Sequence, residues 1–209
     1  DSIWLKDGGN IINIKRSTDS TKFDGIYIYE IEDYEKINIL SKSEAARIDE
    51  NNNWVLTNYS ETLFLENHIE SNLIDQIIKK YNLSPEILSL SEVQHDFLNN
   101  KNLSRYINYL EDNGLDSKRY RIAFWSRISE SLSVLLMTTL ALPFIFSSLR
   151  STSTGRNLIT GLLIGLGYYI FSETFINIGE VYNISALMVA WIPTTILLII
   201  NYYLIHKIE

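Results

Sequence analysis

Three apolar runs in the second half of the chain restrict its fold more than any other feature. They cover residues 128–149, 157–178 and 184–205. At about 1.5 Å rise per residue, roughly 20 apolar residues in a helix match the hydrocarbon thickness of a bilayer. Inside lipid a backbone satisfies its own hydrogen bonds only as a helix or a closed barrel. Continuous apolarity does not fit the alternating pattern of a barrel strand. The runs therefore predict three transmembrane helices, with the residues before them outside the membrane.

Charge divides the chain at the same place. Residues 1–126 carry 14 Lys and Arg against 21 Asp and Glu, whereas residues 127–209 carry 4 against 4. An acidic polar domain joined to a neutral membrane bundle has this balance. It argues against a nucleic-acid partner, whose affinity comes largely from Lys and Arg neutralising phosphates. The chain has no cysteine, so disulfides and thiolate metal sites are absent. It begins at Asp1 without a signal-like stretch, which reads as a piece of a longer protein.

Residues 2–67 have β texture. IWLK, NIINIKR, FDGIYIYEIE, KINIL, EAARID, NWVLTNYS and ETLFLEN are rich in Ile, Tyr, Val, Trp and Thr. Asp7-Gly8-Gly9-Asn10, Thr18-Asp19-Ser20 and Asn51-Asn52-Asn53 punctuate them as turns. The spacing predicts an antiparallel sandwich, jellyroll or open barrel. Ile26-Tyr27-Ile28-Tyr29 is apolar or aromatic on both faces, which fits either a central strand or one wall of an acyl-chain groove. Residues 72–81 read as a short helix ending before Ser84-Pro85. Ser91 and Gln94 resemble a capping box, with Val93, Phe97 and Leu98 on one face. Leu103, Tyr106, Ile107 and Leu110 form an i, i+3, i+4, i+7 stripe, with Gly114 as its stop and Asp116 as the next N-cap. The domains expected are a β domain over 1–90, amphipathic connecting helices over 91–127 and the membrane helices over 128–209.

Arg119, Arg121, Trp125 and Arg127 read as a basic and aromatic rim, either anchoring the helix at headgroup level or meeting anionic lipid phosphates. Pro143 and Pro193 interrupt the first and third runs. Gly161 and Gly165 form a GxxxG that would let another helix approach. Glu173 lies in the second run near its end, where hydration at the interface accounts for its charge. Positive-inside counting conflicts: Arg150, Arg156 and Lys207 mark one side as cytoplasmic, while the rim lies on the other. His68, His95 and His206 are scattered, and no HExxH, GxSxG, P-loop or GxGxxG occurs. The sequence predicts no enzyme and no cofactor.

Residues 113–129 (NGLDSKRYRIAFWSRIS), 135–169 (LLMTTLALPFIFSSLRSTSTGRNLITGLLIGLGYY) and 181–194 (VYNISALMVAWIPT) resemble the LptF/LptG permease family of lipopolysaccharide export, nearer its LptG branch. WLKDGGNIINI, GIYIYEIE and NWVL also fit that family's external β domain. Arg127, Ser131 and Ile184-Ser185 depart from its usual Lys, Pro and Pro-Pro. The resemblance implies a periplasmic jellyroll followed by helices four to six of a six-helix half-transporter in the inner membrane of a Gram-negative bacterium. Arg150 and Arg156 would then face the cytoplasm. Implied partners are lipopolysaccharide, a second LptF-like permease subunit, an LptB-like ATPase dimer, LptC- and LptA-like jellyroll proteins and membrane lipids. By position in the family's gate helix, Tyr168, Tyr169, Phe171 and Glu173 become candidates for the lipid cavity. Ile26, Ile28, Tyr29 and Phe64 become candidates for the jellyroll groove. The competing reading is a membrane-anchored sensor or scaffold without transport activity.

Overall fold

A computed structural model describes residues 2–16, 22–32, 36–49, 51–65, 68–148, 154–182 and 184–206. The chain divides into two compact units, Asp1–Leu115 and Asp116–Glu209.

The first unit is built on one six-stranded antiparallel sheet: β1 (Ser2–Asp7), β2 (Asn10–Arg16), β3 (Lys22–Glu32), β4 (Lys36–Ile48), β5 (Asn53–Phe64) and β6 (Ile69–Lys80). Each strand pairs with its neighbour in sequence. Gly8, with φ of 59°, makes the two-residue turn from β1 to β2. Between β4 and β5 the Asp49 carboxylate accepts from the backbone N–H of Asn51 and Asn53 at 2.9 and 2.8 Å, and Asn52 takes a φ of 60°. The proposed turn at Thr18-Asp19-Ser20 lies outside the described residues. Four of the expected segments fuse into two long strands. KINIL and EAARID join as β4 because Ser41 and Ser43, though polar, are buried with their hydroxyls satisfied: Ser41 Oγ shares a 2.7 Å bond with Tyr59 Oη, and Ser43 Oγ donates to the carbonyl of Thr57 at 2.7 Å. NWVLTNYS and ETLF likewise form the single strand β5.

Residues 72–81 are not a helix. Leu73, Ile74, Ile77 and Ile78 have helix-like spacing, but the segment pairs with the whole length of β5, from Asn53↔Lys80 to Phe64↔Ile69. Its three β-branched isoleucines suit a strand, and sheet pairing overrides the local pattern. Pro85 then opens a helix instead of following one. In α1 (Pro85–Glu92) Pro85 occupies the first turn, where its missing N–H costs nothing, and Ser84 Oγ accepts from Ile87 N at 3.3 Å. The Ser91/Gln94 capping box does not form: Ser91 lies inside α1 and bonds back to Leu88 O, residues 95–97 make a 3-10 turn, and of the expected face only Leu98 is buried. In α2 (Asn100–Asp112) Leu103, Tyr106, Ile107 and Leu110 are all buried, and Asn99 is the N-cap. Gly114 ends it in the left-handed region with φ of 63°.

The long strands bend together. On β3 the buried positions run Phe23, then Ile26 and Ile28. On β4 they run Ser41 and Ser43, then Ala46 and Ile48, and on β5 they run Trp54 and Leu56, then Tyr59, with Val55 buried on the opposite face of β5. Each series slips by one residue, at Gly25 (φ 109°), at Glu44-Ala45 and at Asn58 (φ 50°). A slip in one strand would turn its inner side chains outward. Neighbouring strands slip along one line, tied by Asn58 Nδ2 donating to Glu44 Oε2 at 2.8 Å, so the inner face stays continuous around a corner. The two halves of the sheet close over one core. Phe23 stacks on Trp54 at 5.5 Å, Trp54 meets Tyr81 edge-on at 6.0 Å, and Trp54 Nε1 donates to Leu83 O.

The second unit holds α3 (Lys118–Ser148), α4 (Thr154–Val181) and α5 (Ala186–His206). Asp116 accepts from Lys118 N at 2.9 Å, and α3 continues unbroken through the aromatic and basic segment. Two stretches among the described residues, Ile159–Val181 and Ala186–His206, are long and apolar enough to cross a membrane. In the most apolar window of the first no residue is buried, and in that of the second a third are, whereas the core helix of a soluble protein is mostly buried. The side chains from residue 142 to the end of α3 lie outside the described residues.

Candidate functional site

In the β unit the four proposed groove residues do not converge. Ile26 and Ile28 are 1% and 0% exposed, packed in the core with no free wall to offer. Tyr29 points to the opposite face of β3, where it stacks on the exposed Trp4 at 5.9 Å. Phe64 lies at the hairpin end of the sheet and lines an open cleft of about 690 Å³ with Lys36, Ile37, Ile39, Leu63 and Leu65. Apolar side chains dominate that lining. Of the four residues, only Phe64 lines that cleft.

The inner face carries a polar cluster that sequence reasoning missed. Lys79 Nζ donates to Tyr59 Oη at 2.5 Å, sits 3.4 Å from Glu61 Oε1 and 4.0 Å from Glu30 Oε1, and lies over the Tyr59 ring. Tyr59 Oη donates to Glu61 Oε1 at 2.8 Å. Burial alone would lower the Lys79 pKa. The Tyr59 hydroxyl and the two carboxylates outweigh it, so the ammonium is held above its ordinary value. Burial raises the Tyr59 phenol as well. The available signal was a lysine following two isoleucines at 77–78, and reading that segment as a helix concealed it.

The outer edge of β1 is closed by α2. Tyr109 Oη accepts from Lys6 N at 3.1 Å and donates to Lys6 O at 2.9 Å, which satisfies both groups of an edge residue. At β6, the other end of the sheet, Ile69, Leu73 and Ile78 are exposed.

In the helical unit α3 and α5 form the tight pair. Ala186, Val189, Ala190, Pro193, Thr194, Leu197 and Asn201 make one buried stripe on α5. Ser129 Oγ donates to Ala190 O at 2.7 Å, and Asn201 Nδ2 donates to Leu136 O and Thr139 Oγ1 at 2.5 and 2.8 Å. Such bonds join helices where no hydrophobic force separates protein from lipid. The expected close approach at Gly161 and Gly165 is not made, since a Cβ at either would meet nothing within 4 Å. It occurs at Gly179, where an added Cβ would run into the Val189 side chain.

Of the proposed cavity residues, Tyr168 is half-buried with its hydroxyl 3.3 Å from Thr194 Oγ1, which ties α4 to α5. Tyr169 and Phe171 are exposed on α4, Phe171 tilted against Phe175 at 5.7 Å. Glu173 is exposed too, within electrostatic reach of Glu130 on α3. The proposed rim residues separate. Trp125 is half-buried and packs against the cluster of Ile122, Ala186 and Val189. Arg119 lies 3.5 Å from Glu180, and Lys118 Nζ bonds the carbonyl of Tyr182, so the cations at the start of α3 meet the carbonyl end of α4. Arg121 is exposed and Arg127 half-buried. Arg150 lies outside the described residues, and Arg156 falls in the first turn of α4 with its side chain outside them. No group of three His, Asp or Glu side chains among the described residues is placed to hold a metal.

A sheet unit and a bundle of apolar, outward-facing helices thus occur in one chain. Residues 1–207 match the family described as lipopolysaccharide export system permease LptF/LptG. The chain belongs to the LptF/LptG family. It is 29% identical over 206 residues to the lipopolysaccharide export system permease protein LptG of Haemophilus influenzae and 30% identical over 207 residues to that of Escherichia coli K12. Each alignment covers 98% of this chain and 58% of the relative, so the chain spans somewhat more than half the length of these curated relatives. The LptF/LptG match takes in both units: the Gly114 turn, the start of α3 and the Gly179–Val189 contact all lie inside it.

Proposed function

We propose that the chain is part of a lipopolysaccharide-export permease in the inner membrane of a Gram-negative bacterium. The observation that carries this reading is the LptF/LptG match over residues 1–207. The exposed apolar surfaces of α4 and α5 support it. In this reading α3, α4 and α5 all cross the bilayer, and the folded sheet is a jellyroll-type domain on the periplasmic side. Residues Asp1–Leu115 form that domain, and the helices follow from Asp116.

The physical task is to move a lipid with several acyl chains out of a bilayer. Each CH₂ exposed to water costs about 0.8 kcal/mol, so the chains need a continuous apolar route. Tyr169 and Phe171, exposed on α4, are the bundle residues suited to that contact, and Phe64 with Leu65 and Ile37 supply an apolar cleft on the sheet. Arg121 at the start of α3 suits the lipid phosphates. A second LptF-like permease subunit completes the cavity, an LptB-like ATPase dimer provides the work, and LptC- and LptA-like proteins receive the lipid.

Affinity purification of the full-length protein from membranes tests the assembly. Recovery of a second permease and an ATPase in fixed ratio is expected, and recovery of neither overturns it. Photo-crosslinking tests the route: a probe at Phe64 captures lipopolysaccharide during ATP-driven transport, whereas a probe at Ile28 does not.

A further inference from the structure

The face of the sheet turned away from the core carries an aromatic platform that the lipid route does not use. Trp4 on β1 is 60% exposed and stacks on the half-buried Tyr29 of β3 at 5.9 Å, with 25° between the rings. Tyr27, half-buried on the same face of β3, has Lys42 Nζ of β4 over its ring at 5.8 Å. Strand register sets these side chains in two adjoining rows. One runs Trp4, Asn13, Tyr27 and Lys42 from β1 to β4, and the next passes through Lys6 and Tyr29. Followed across all six strands, neither row contains an Asp or Glu. Residues 1–126 carry 21 of them against 14 Lys and Arg, so this patch departs from the charge of its own unit.

We propose that this platform holds the saccharide part of the exported lipid, with Trp4 as the stacking residue and Asn13 and Lys42 as its polar partners. This rests on the lipid-export reading above. A lipopolysaccharide is a lipid joined to a saccharide chain, and the apolar cleft at Phe64 answers only to the lipid half. Cross-strand stacking on Tyr29 leaves most of the Trp4 indole in water, so sheet stability alone does not account for it. The C–H bonds on one face of a sugar ring carry slight positive charge and pack on the electron-rich face of an aromatic ring. The hydroxyls around the rim need donors and acceptors: the Asn13 amide offers both and the Lys42 ammonium a donor. An acyl chain on the same row would leave those polar groups unpaired. From Trp4 to Lys42 the row crosses three strand spacings, roughly 14 Å, long enough for a short run of linked rings. With Lys42 present and no carboxylate, the row also accepts sugars bearing negative charge. Tyr109 closes the edge of β1, so a ligand comes onto the face and does not add to the edge there as a strand.

The test uses the full-length protein in its complex, in detergent. The probe is the lipid-free oligosaccharide cleaved from lipopolysaccharide by mild acid, with binding measured by isothermal titration. Trp4→Ala is expected to weaken binding about ten-fold, the scale of one aromatic contact. Trp4→Tyr should restore most of it, and Lys42→Ala should weaken binding and reduce its dependence on salt. Should W4A fail to fold, Asn13→Ala tests the same row. Equal binding by wild type and W4A overturns the platform. Tighter binding of a cell-wall glycan fragment than of the oligosaccharide overturns its assignment to the exported lipid. Absent oligosaccharide binding, with lipopolysaccharide still captured at Phe64, removes the platform alone. Failure of capture at Phe64 in the wild-type complex would instead remove the lipid-export reading itself.

Discussion

Gly25 and Asn58 hold backbone angles that side chains rarely adopt, and on them the corner of the sheet depends. Space is not the constraint at Gly25, where an added Cβ would meet only carbonyl oxygens at 3.8 Å or beyond. The cost of a substitution is therefore conformational. Gly25→Ala is expected to destabilise the β unit by about 1 kcal/mol or more, read as a lower thermal midpoint in detergent. Asp49 has a pH signature. Its bonds from Asn53, and then from Asn51, hold its carboxyl below the ordinary value of 3.8. A folded value below the unfolded one means the turn is supported above about pH 4 and loses that support as pH falls through the lower folded value. Titration of Asp49 by NMR checks this, and Asp49→Ala should flatten the acid limb of the stability curve. Neither position is conspicuous in the sequence, because a lone Gly in a strand and an Asp before a turn occur in many contexts.

At the scale of elements, α2 and the α4–α5 hairpin make the sharpest claims. Leu103 has no exposed surface, and Leu103→Ala is expected to cost about 2–5 kcal/mol by leaving a cavity beneath α2. Tyr109→Phe leaves both groups of Lys6 without that partner at the sheet edge. It should cost about 1 kcal/mol and raise hydrogen exchange at Lys6. In the bundle, Gly179→Leu must push α4 from α5 at Val189, with an expected cost of about 1–3 kcal/mol, while Gly161→Ala should be close to neutral. Thermal unfolding of the two variants side by side separates them. The α2 stripe was legible because 3.6-residue periodicity is local. The β6 strand was not, because Leu73, Ile74, Ile77 and Ile78 serve a helix as well as a strand until β5 is present to pair with them. The GxxxG at 161–165 misled for a related reason: small residues permit close approach, but a neighbouring helix has to be there.

For the whole molecule, two units with unlike surfaces imply unlike solvents. α4 buries none of its apolar window, so water is the wrong surrounding for it. The full-length protein is expected to sediment with membranes, to resist alkaline carbonate extraction and to come free only in detergent. Extraction by carbonate alone would contradict the membrane reading.

By itself the amino-acid sequence determined the division between an acidic β-rich part and an apolar helical part, and family membership. Hydrophobic period, charge balance and local motifs are properties of contiguous residues, readable one window at a time. The tertiary structure alone decided which residues meet. Ile28 fills a core, Trp125 packs half-buried against Ala186 and Val189 of α5, and Lys79 reaches Glu30 across a folded sheet. Those outcomes depend on where the corner falls and which helix faces lie together. They are set by packing between segments distant in the chain, and no local pattern encodes them.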